Sequence, residues 1–165
     1  MHHGSTNRPL MRRSASSKGT RRSKISGGAK DAALTLTRLA VHAEKLVYVI
    51  VSNKPKKYGK RRSRIVYIGT TRKGVDRVLG SVAAKARQAL ADHGTRRIDV
   101  YVYTARRRKH VAMWKKLEQG LLLSFKDVYG CVPRYNTHGK NKDWTDEGYY
   151  LSTAGLKSVI TRYES

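Results

Sequence analysis

LVYVIVSNKPKKYGKRRSRIVYIGTT, residues Leu46 to Thr71, contains the two runs that decide the fold: LVYVIVS (Leu46 to Ser52) and RIVYIGTT (Arg64 to Thr71). Both are rich in valine, isoleucine and tyrosine, which fit a pleated, half-buried surface, so each reads as a β-strand. The intervening NKPKKYGKRR (Asn53 to Arg62) holds Pro55 and Gly59, two residues that punctuate a chain, and the pair therefore reads as a hairpin with a long basic tip between Ser52 and Ser63. An antiparallel register that sets Tyr48 opposite Tyr67 puts Ile50 opposite Ile65 and Leu46 opposite Gly69. Both phenols then lie on one face, as neighbours.

Beyond the hairpin, KGVDRVLGSVAAKARQALADHG (Lys73 to Gly94) repeats Val75, Val78, Leu79, Val82, Ala83, Ala86 and Leu90 at three- and four-residue intervals, which is the pattern of an amphipathic helix ended by Gly94. IDVYVYT (Ile98 to Thr104) reads as a third strand. RRRKHVAMWKKLEQGLLLSFKDVYG (Arg106 to Gly130) reads as a second helix, with Val111, Trp114, Leu117, Leu121 and Phe125 on one face. The order β-β-α-β-α is that of an α+β fold. Gly130 and Pro133 close this unit; the polar stretch to Gly148 reads as loop and TAGLKSVITRY (Thr153 to Tyr163) as a short last helix. Upstream, DAALTLTRLAVHAEK (Asp31 to Lys45) reads as a short leading helix capped by Asp31.

At 165 residues the chain has room for one real core. Its 36 Lys and Arg against 11 Asp and Glu give a net charge of +25, and so positive a surface calls for a polyanionic partner, nucleic acid above all. No apolar run approaches the ~20 residues of a membrane span and no basic amphipathic helix is rich in Trp or Phe, so a membrane partner is not expected. Cys131 is the only cysteine, which excludes an internal disulfide and a cysteine-based zinc finger. Residues 1–30 carry eight Lys or Arg and no acid, with too few apolar groups to offset the entropy of ordering them. They read as a disordered basic arm; an organellar transit peptide would share the composition but needs an amphipathic spacing that is missing.

Glu118 borders the apolar stripe of the second helix, between Trp114 before it and Leu121 and Leu122 after it. A half-buried carboxylate needs a partner, and a divalent cation is one candidate. The order LVY, YIG, an arginine eight residues after the glycine (Arg77), a glutamate on the next helix (Glu118) and then VPRYN resembles the GIY-YIG nuclease family over roughly residues 46–137. In the first motif the glycine and isoleucine are replaced by Leu46 and Val47, while Tyr48 remains.

The resemblance implies a small three-stranded antiparallel sheet flanked by helices, with residues 138–165 as a C-terminal addition. It also implies cleavage of DNA with one Mg²⁺ or Mn²⁺ ion. By position, Tyr48 activates or orients the water, Tyr67 is its partner near the phosphate, and Gly69 forms a turn. Arg77 clamps charge, Glu118 is the metal ligand, and Asn136 is a hydrogen bonder that holds the site together. Tyrosine has a reference pKa of about 10, so a tyrosine base must be lowered by nearby positive charge. DNA would be tracked by the hairpin cations Lys54, Lys56, Lys57, Lys60, Arg61, Arg62 and Arg64, and by Arg106, Arg107, Arg108 and Lys109 at the start of the second helix.

Each residue also has a plainer reading. Strand tyrosines are commonly packing residues, as Tyr101 and Tyr103 are expected to be; Arg77 alone is a solvated charge, Glu118 a flanking acid and Asn136 a loop residue. His138, Asp143, Asp146 and Glu147 lack metal-ligand spacing and read as polar loop. The chain length suits a cytoplasmic restriction-like enzyme, compatible with a homodimer, or a stand-alone phage or bacterial nuclease. The alternative is a basic nucleic-acid-binding protein with the same sheet and no catalysis.

Overall fold

Strands β1 (Leu46–Tyr58) and β2 (Arg61–Thr71) form the expected hairpin, but it is closed at its far end by Gly59 and Lys60 alone. Gly59 takes φ +56°, as the first position of a tight two-residue hairpin turn requires. The computed structural model describes residues 44–92 and 94–165, and of residues 75–77 and 79 the backbone alone. The expected basic arm at 1–30, and the leading helix at 31–45 up to its last two residues, lie outside the described residues.

The long basic tip is replaced by a continued strand because two of its residues turn inward. Tyr58 is buried, donates its hydroxyl to Ile65 O at 2.7 Å, and meets Phe125 edge-on with ring centroids 5.0 Å apart. Lys56, 9% exposed, donates to Thr95 Oγ1 at 2.9 Å and pairs with Asp92 at 3.5 Å. These internal contacts hold a segment whose composition alone looks like solvated loop. The mismatch in length is absorbed where the pairing jumps from Val51↔Ile65 to Lys56↔Ser63, in the stretch that contains Pro55, which has no amide proton to give a ladder.

The register is two residues off the expected one: Tyr48 pairs with Gly69, Ile50 with Tyr67 and Leu46 with Thr71. A shift of two preserves the alternation of faces, so both tyrosines still share a side. The next pair is Val51 with Ile65, which leaves Val66 as an extra residue in β2. This bulge lets Val66 and Tyr67 both belong to the Tyr48 side while Ile65 and Ile68 face the other way. Strand β3 (Ile98–Tyr103) pairs antiparallel with β1, giving the three-stranded order β2-β1-β3 and the α+β class expected.

Helix α1 (Gly74–Ala91) covers the side carrying Leu46, Tyr48, Ile50 and Val66, and buries Val78 and Ala89 there. Its apolar stripe differs from the expected one: Ala83 is exposed and Leu90 is 47% exposed. Helix α2 (Met113–Tyr129) covers the opposite side with Leu117, Leu121, Leu122 and Phe125. It starts seven residues after the expected Arg106. His110 stands at φ +60° and Arg108 bridges to Val111, a conformation a right-handed helix cannot pass through. A run of four cations is also disfavoured at a helix N-terminus, where the dipole is positive. Gly130, expected to close this unit, ends α2 in the left-handed conformation, its amide donating to Lys126 O at 2.7 Å.

Helices α3 (Glu147–Tyr150) and α4 (Thr153–Thr161) follow, the latter capped by Ser152, whose hydroxyl accepts from Gly155 N. Leu156, Ile160 and Tyr163 join the α2 side of the core. Tyr163 O accepts from Arg64 N at 2.9 Å, so the C-terminal segment covers the outer edge of β2. Among the described residues, no helix is long and apolar enough to cross a membrane.

Candidate active site

Tyr48 and Tyr67 meet on the α1 side of the sheet with ring centroids 5.9 Å apart and planes at 37°. The register explains why a glycine stands between them. A Cβ at Gly69 would lie 2.5 Å from Tyr67 Cε1 and 2.8 Å from the Tyr48 ring and hydroxyl, so any side chain there displaces both phenols. Gly69 lies inside β2 and makes no turn; its role is to leave room. Tyr48 is 2% exposed. Burial first, then the Tyr48 phenol beside it and the Glu118 charge, push the Tyr67 hydroxyl well above the usual tyrosine range. Tyr67 therefore holds its proton at neutral pH, opposite to the lowering that a tyrosine base needs.

Asn136 is 6% exposed and docks on the backbone of the residue between Tyr67 and Gly69: its Oδ1 accepts from Ile68 N at 2.9 Å and its Nδ2 donates to Ile68 O at 2.7 Å. The side-chain amide thus acts as one further rung on the free edge of β2. Tyr135 N donates to Val66 O at the bulge, 3.0 Å, and Tyr135 Oη donates to Asp92 at 2.5 Å. Lys56 and Arg134 also pair with Asp92, and together these contacts hold its carboxyl below the usual range, the Tyr135 hydrogen bond contributing most. Residues 134–136 are thereby fastened to both the edge strand and the end of α1.

Glu118 sits on α2, whose apolar face packs against the side of the sheet opposite the tyrosines. Its charge is nonetheless felt at Tyr67. Burial pushes the Glu118 carboxyl up to about 7 and outweighs the opposing charges of Lys142 and Lys115. Among the described residues no group of three or more His, Cys, Asp or Glu side chains is arranged to hold a metal ion. Among the described residues, Glu118 is the carboxylate whose charge contributes to raising the Tyr67 hydroxyl. Arg77 lies on α1, the helix over the tyrosine side, and its side chain is outside the described part of the molecule.

The cations assigned to DNA divide. Lys56 is corrected: it is buried against Asp92 and Thr95 and does not face solvent. Arg61 pairs with Glu164 at 3.4 Å, and Arg108 lies over the Tyr150 ring at 5.5 Å. Lys54, Lys57, Lys60, Arg62, Arg106, Arg107 and Lys109 are exposed and Arg64 is half-buried. Glu147 is not a polar-loop residue, being 3% exposed and bonded to Thr145 N and Lys116.

Three cations beside the tyrosines were not singled out by the sequence. Arg72, Lys73 and Lys85 line a cleft of about 480 Å³ together with Tyr48 and Tyr67. Lys85 Nζ lies 5.1 Å from the Tyr67 ring centroid and donates to Tyr135 O at 3.2 Å. The signal for Arg72 and Lys73 was their place directly after YIGTT; a lysine inside an alanine-rich helix such as α1 gives none. Comparison of the chain with protein-family models, curated proteins and solved structures returned no match.

Proposed function

We propose that this protein is a metal-dependent endonuclease of the GIY-YIG kind, hydrolysing phosphodiester bonds of DNA. The observation that carries the reading is the pair of phenols brought together over Gly69. Tyr67, which keeps its proton, donates a hydrogen bond to a phosphate oxygen and stabilises charge as it develops there. Tyr48, beside Tyr67, orients the attacking water. Asn136 holds the β2 edge so that both rings keep their places.

The residues fit a hard divalent ion such as Mg²⁺ or Mn²⁺: Glu118 is an oxygen donor that burial leaves poorly stabilised as an anion, with no hydrogen bond or ion pair to a described residue. When bound, such an ion would polarise the phosphate and lower the pKa of a coordinated water. A second reading, a basic nucleic-acid-binding protein without catalysis, is favoured by one observation, that α2 lies across the sheet from the tyrosines.

Incubation with supercoiled plasmid in Mg²⁺ or EDTA separates the two. Metal-dependent nicking is expected, and Tyr48→Phe and Tyr67→Phe should each lower it by on the order of a hundredfold with little change in stability. Retarded plasmid without nicking across metals and salts would favour the binder.

A further inference from the structure

The cleft between the end of β2 and α1 is lined by Arg72, Lys73 and Lys85 and by the hydroxyl residues Thr70, Thr71 and Ser81, and among the described residues by no carboxylate. Several cations elsewhere on the protein are drawn into pairs with acids: Lys56 and Arg134 with Asp92, Arg61 with Glu164, Lys116 with Asp146 and Glu147. None of the three cleft cations has an acidic partner among the described residues. Lys85 spends its ammonium protons on neutral acceptors, Tyr135 O and Gln88 Oε1, each at 3.2 Å, and a more strongly accepting anion can replace these. Tyr48, 2% exposed, lines the same cleft, its phenol beside that of Tyr67. At one end of the cleft α1 begins after Lys73 with no side-chain cap, so the positive end of an 18-residue helix adds to the field.

We propose that this cleft is a subsite for a second backbone phosphate, the one next to the phosphate held at the tyrosine pair, and that Lys85, Arg72 and Lys73 bind it. The subsite deepens the nucleic-acid reading and does not depend on cleavage. It assigns the main phosphate contact to cations beside the tyrosines, whereas composition pointed to the hairpin, where Lys56 and Arg61 are already engaged internally. Lys85 is also a positioning residue, because it spans α1, the Tyr67 ring and the segment carrying Asn136.

The test is made in EDTA with the full chain and a short labelled DNA duplex, so that absence of nicking cannot affect its outcome. Lys85→Gln should lower the slope of log affinity against log salt by about 0.9, and the triple replacement of Arg72, Lys73 and Lys85 by glutamine by about 2.7. Lys85→Arg keeps the charge and should restore binding, which separates lost contact from lost folding. A neutral methylphosphonate is then placed at each position in turn. In the wild type one position beside the tyrosine-held phosphate should weaken binding, and in Lys85→Gln that same position should cost nothing further. Unchanged salt slopes, or methylphosphonate costs that are the same in wild type and variant at every position, would overturn the subsite. So would a Lys85→Gln variant that loses affinity for inorganic phosphate but none for the duplex, which would mark a free-anion site.

Discussion

At the scale of single residues, Gly69 and Glu118 are the most informative. The strand conformation of Gly69 is one that any residue adopts, so the effect of Gly69→Ala comes wholly from the methyl group pressing on two rings 2.5–2.8 Å away. Overpacking of this kind costs about 1–3 kcal/mol, and denaturant unfolding should return that loss together with loss of nicking. Stability equal to wild type would mean that the rings are free to separate. Glu118 makes a prediction about pH. Its folded pKa, about 7, lies above the ordinary carboxyl value of 4.5, so the folded state binds the proton more tightly than the unfolded one. Ionisation therefore costs stability: the penalty is absent below about 4.5, grows as pH rises towards 7, and is complete above it. Glu118→Gln should remove this penalty, so that thermal stability at pH 8 exceeds that of wild type while the two converge at pH 4, and nicking is lost. Mg²⁺ should raise the wild-type midpoint at pH 8 and leave that of the variant unchanged.

At the scale of elements, β2 is an edge strand made usable by what covers it. Asn136 supplies both a donor and an acceptor to Ile68, the C-terminal segment pairs at Arg64, and Tyr135 takes the carbonyl exposed by the bulge at Val66. Replacing Asn136 by alanine leaves one buried amide and one buried carbonyl unpaired. A loss of about 2–4 kcal/mol is expected in denaturant unfolding, and slower nicking even at temperatures where the variant is fully folded. If the variant is destabilised but cuts at the wild-type rate, Asn136 serves the fold and not the site. The bulge itself could be recognised only after the register was known: IVYI reads as plain alternation, yet Val66 and Tyr67 are turned to one side.

At the scale of the whole molecule the net charge of +25 governs association with any polyanion. Its distribution matters more than its total. Part of the basic hairpin is engaged within the molecule, Lys56 being buried and Arg61 paired with Glu164, while Lys54, Lys57, Lys60 and Arg62 remain exposed. Residues 1–30 contribute eight of the positive charges and no acid. Deleting them should weaken DNA binding and flatten its salt dependence, with a smaller effect on nicking at saturating protein. A salt slope identical to the full chain would show that the arm does not contact the phosphates.

Local composition was enough to determine the strand runs, the β-β-α-β-α order, the stop at Gly130 and the placing of Tyr48 and Tyr67 on one face. Each depends on short-range preferences or on an alternation that survives a register shift of two. The register itself, the length of the hairpin and the late start of α2 were decided by the tertiary structure. Tyr58 and Lys56 extend β1 because Phe125, Asp92 and Thr95 are there to receive them, and those partners are distant in sequence. The same holds for the site. Its tyrosines and glycine stand in one hairpin and can be read along the chain, whereas the docking of Asn136 on Ile68 and the arrival of Lys85 beside the Tyr67 ring exist only once the chain has packed.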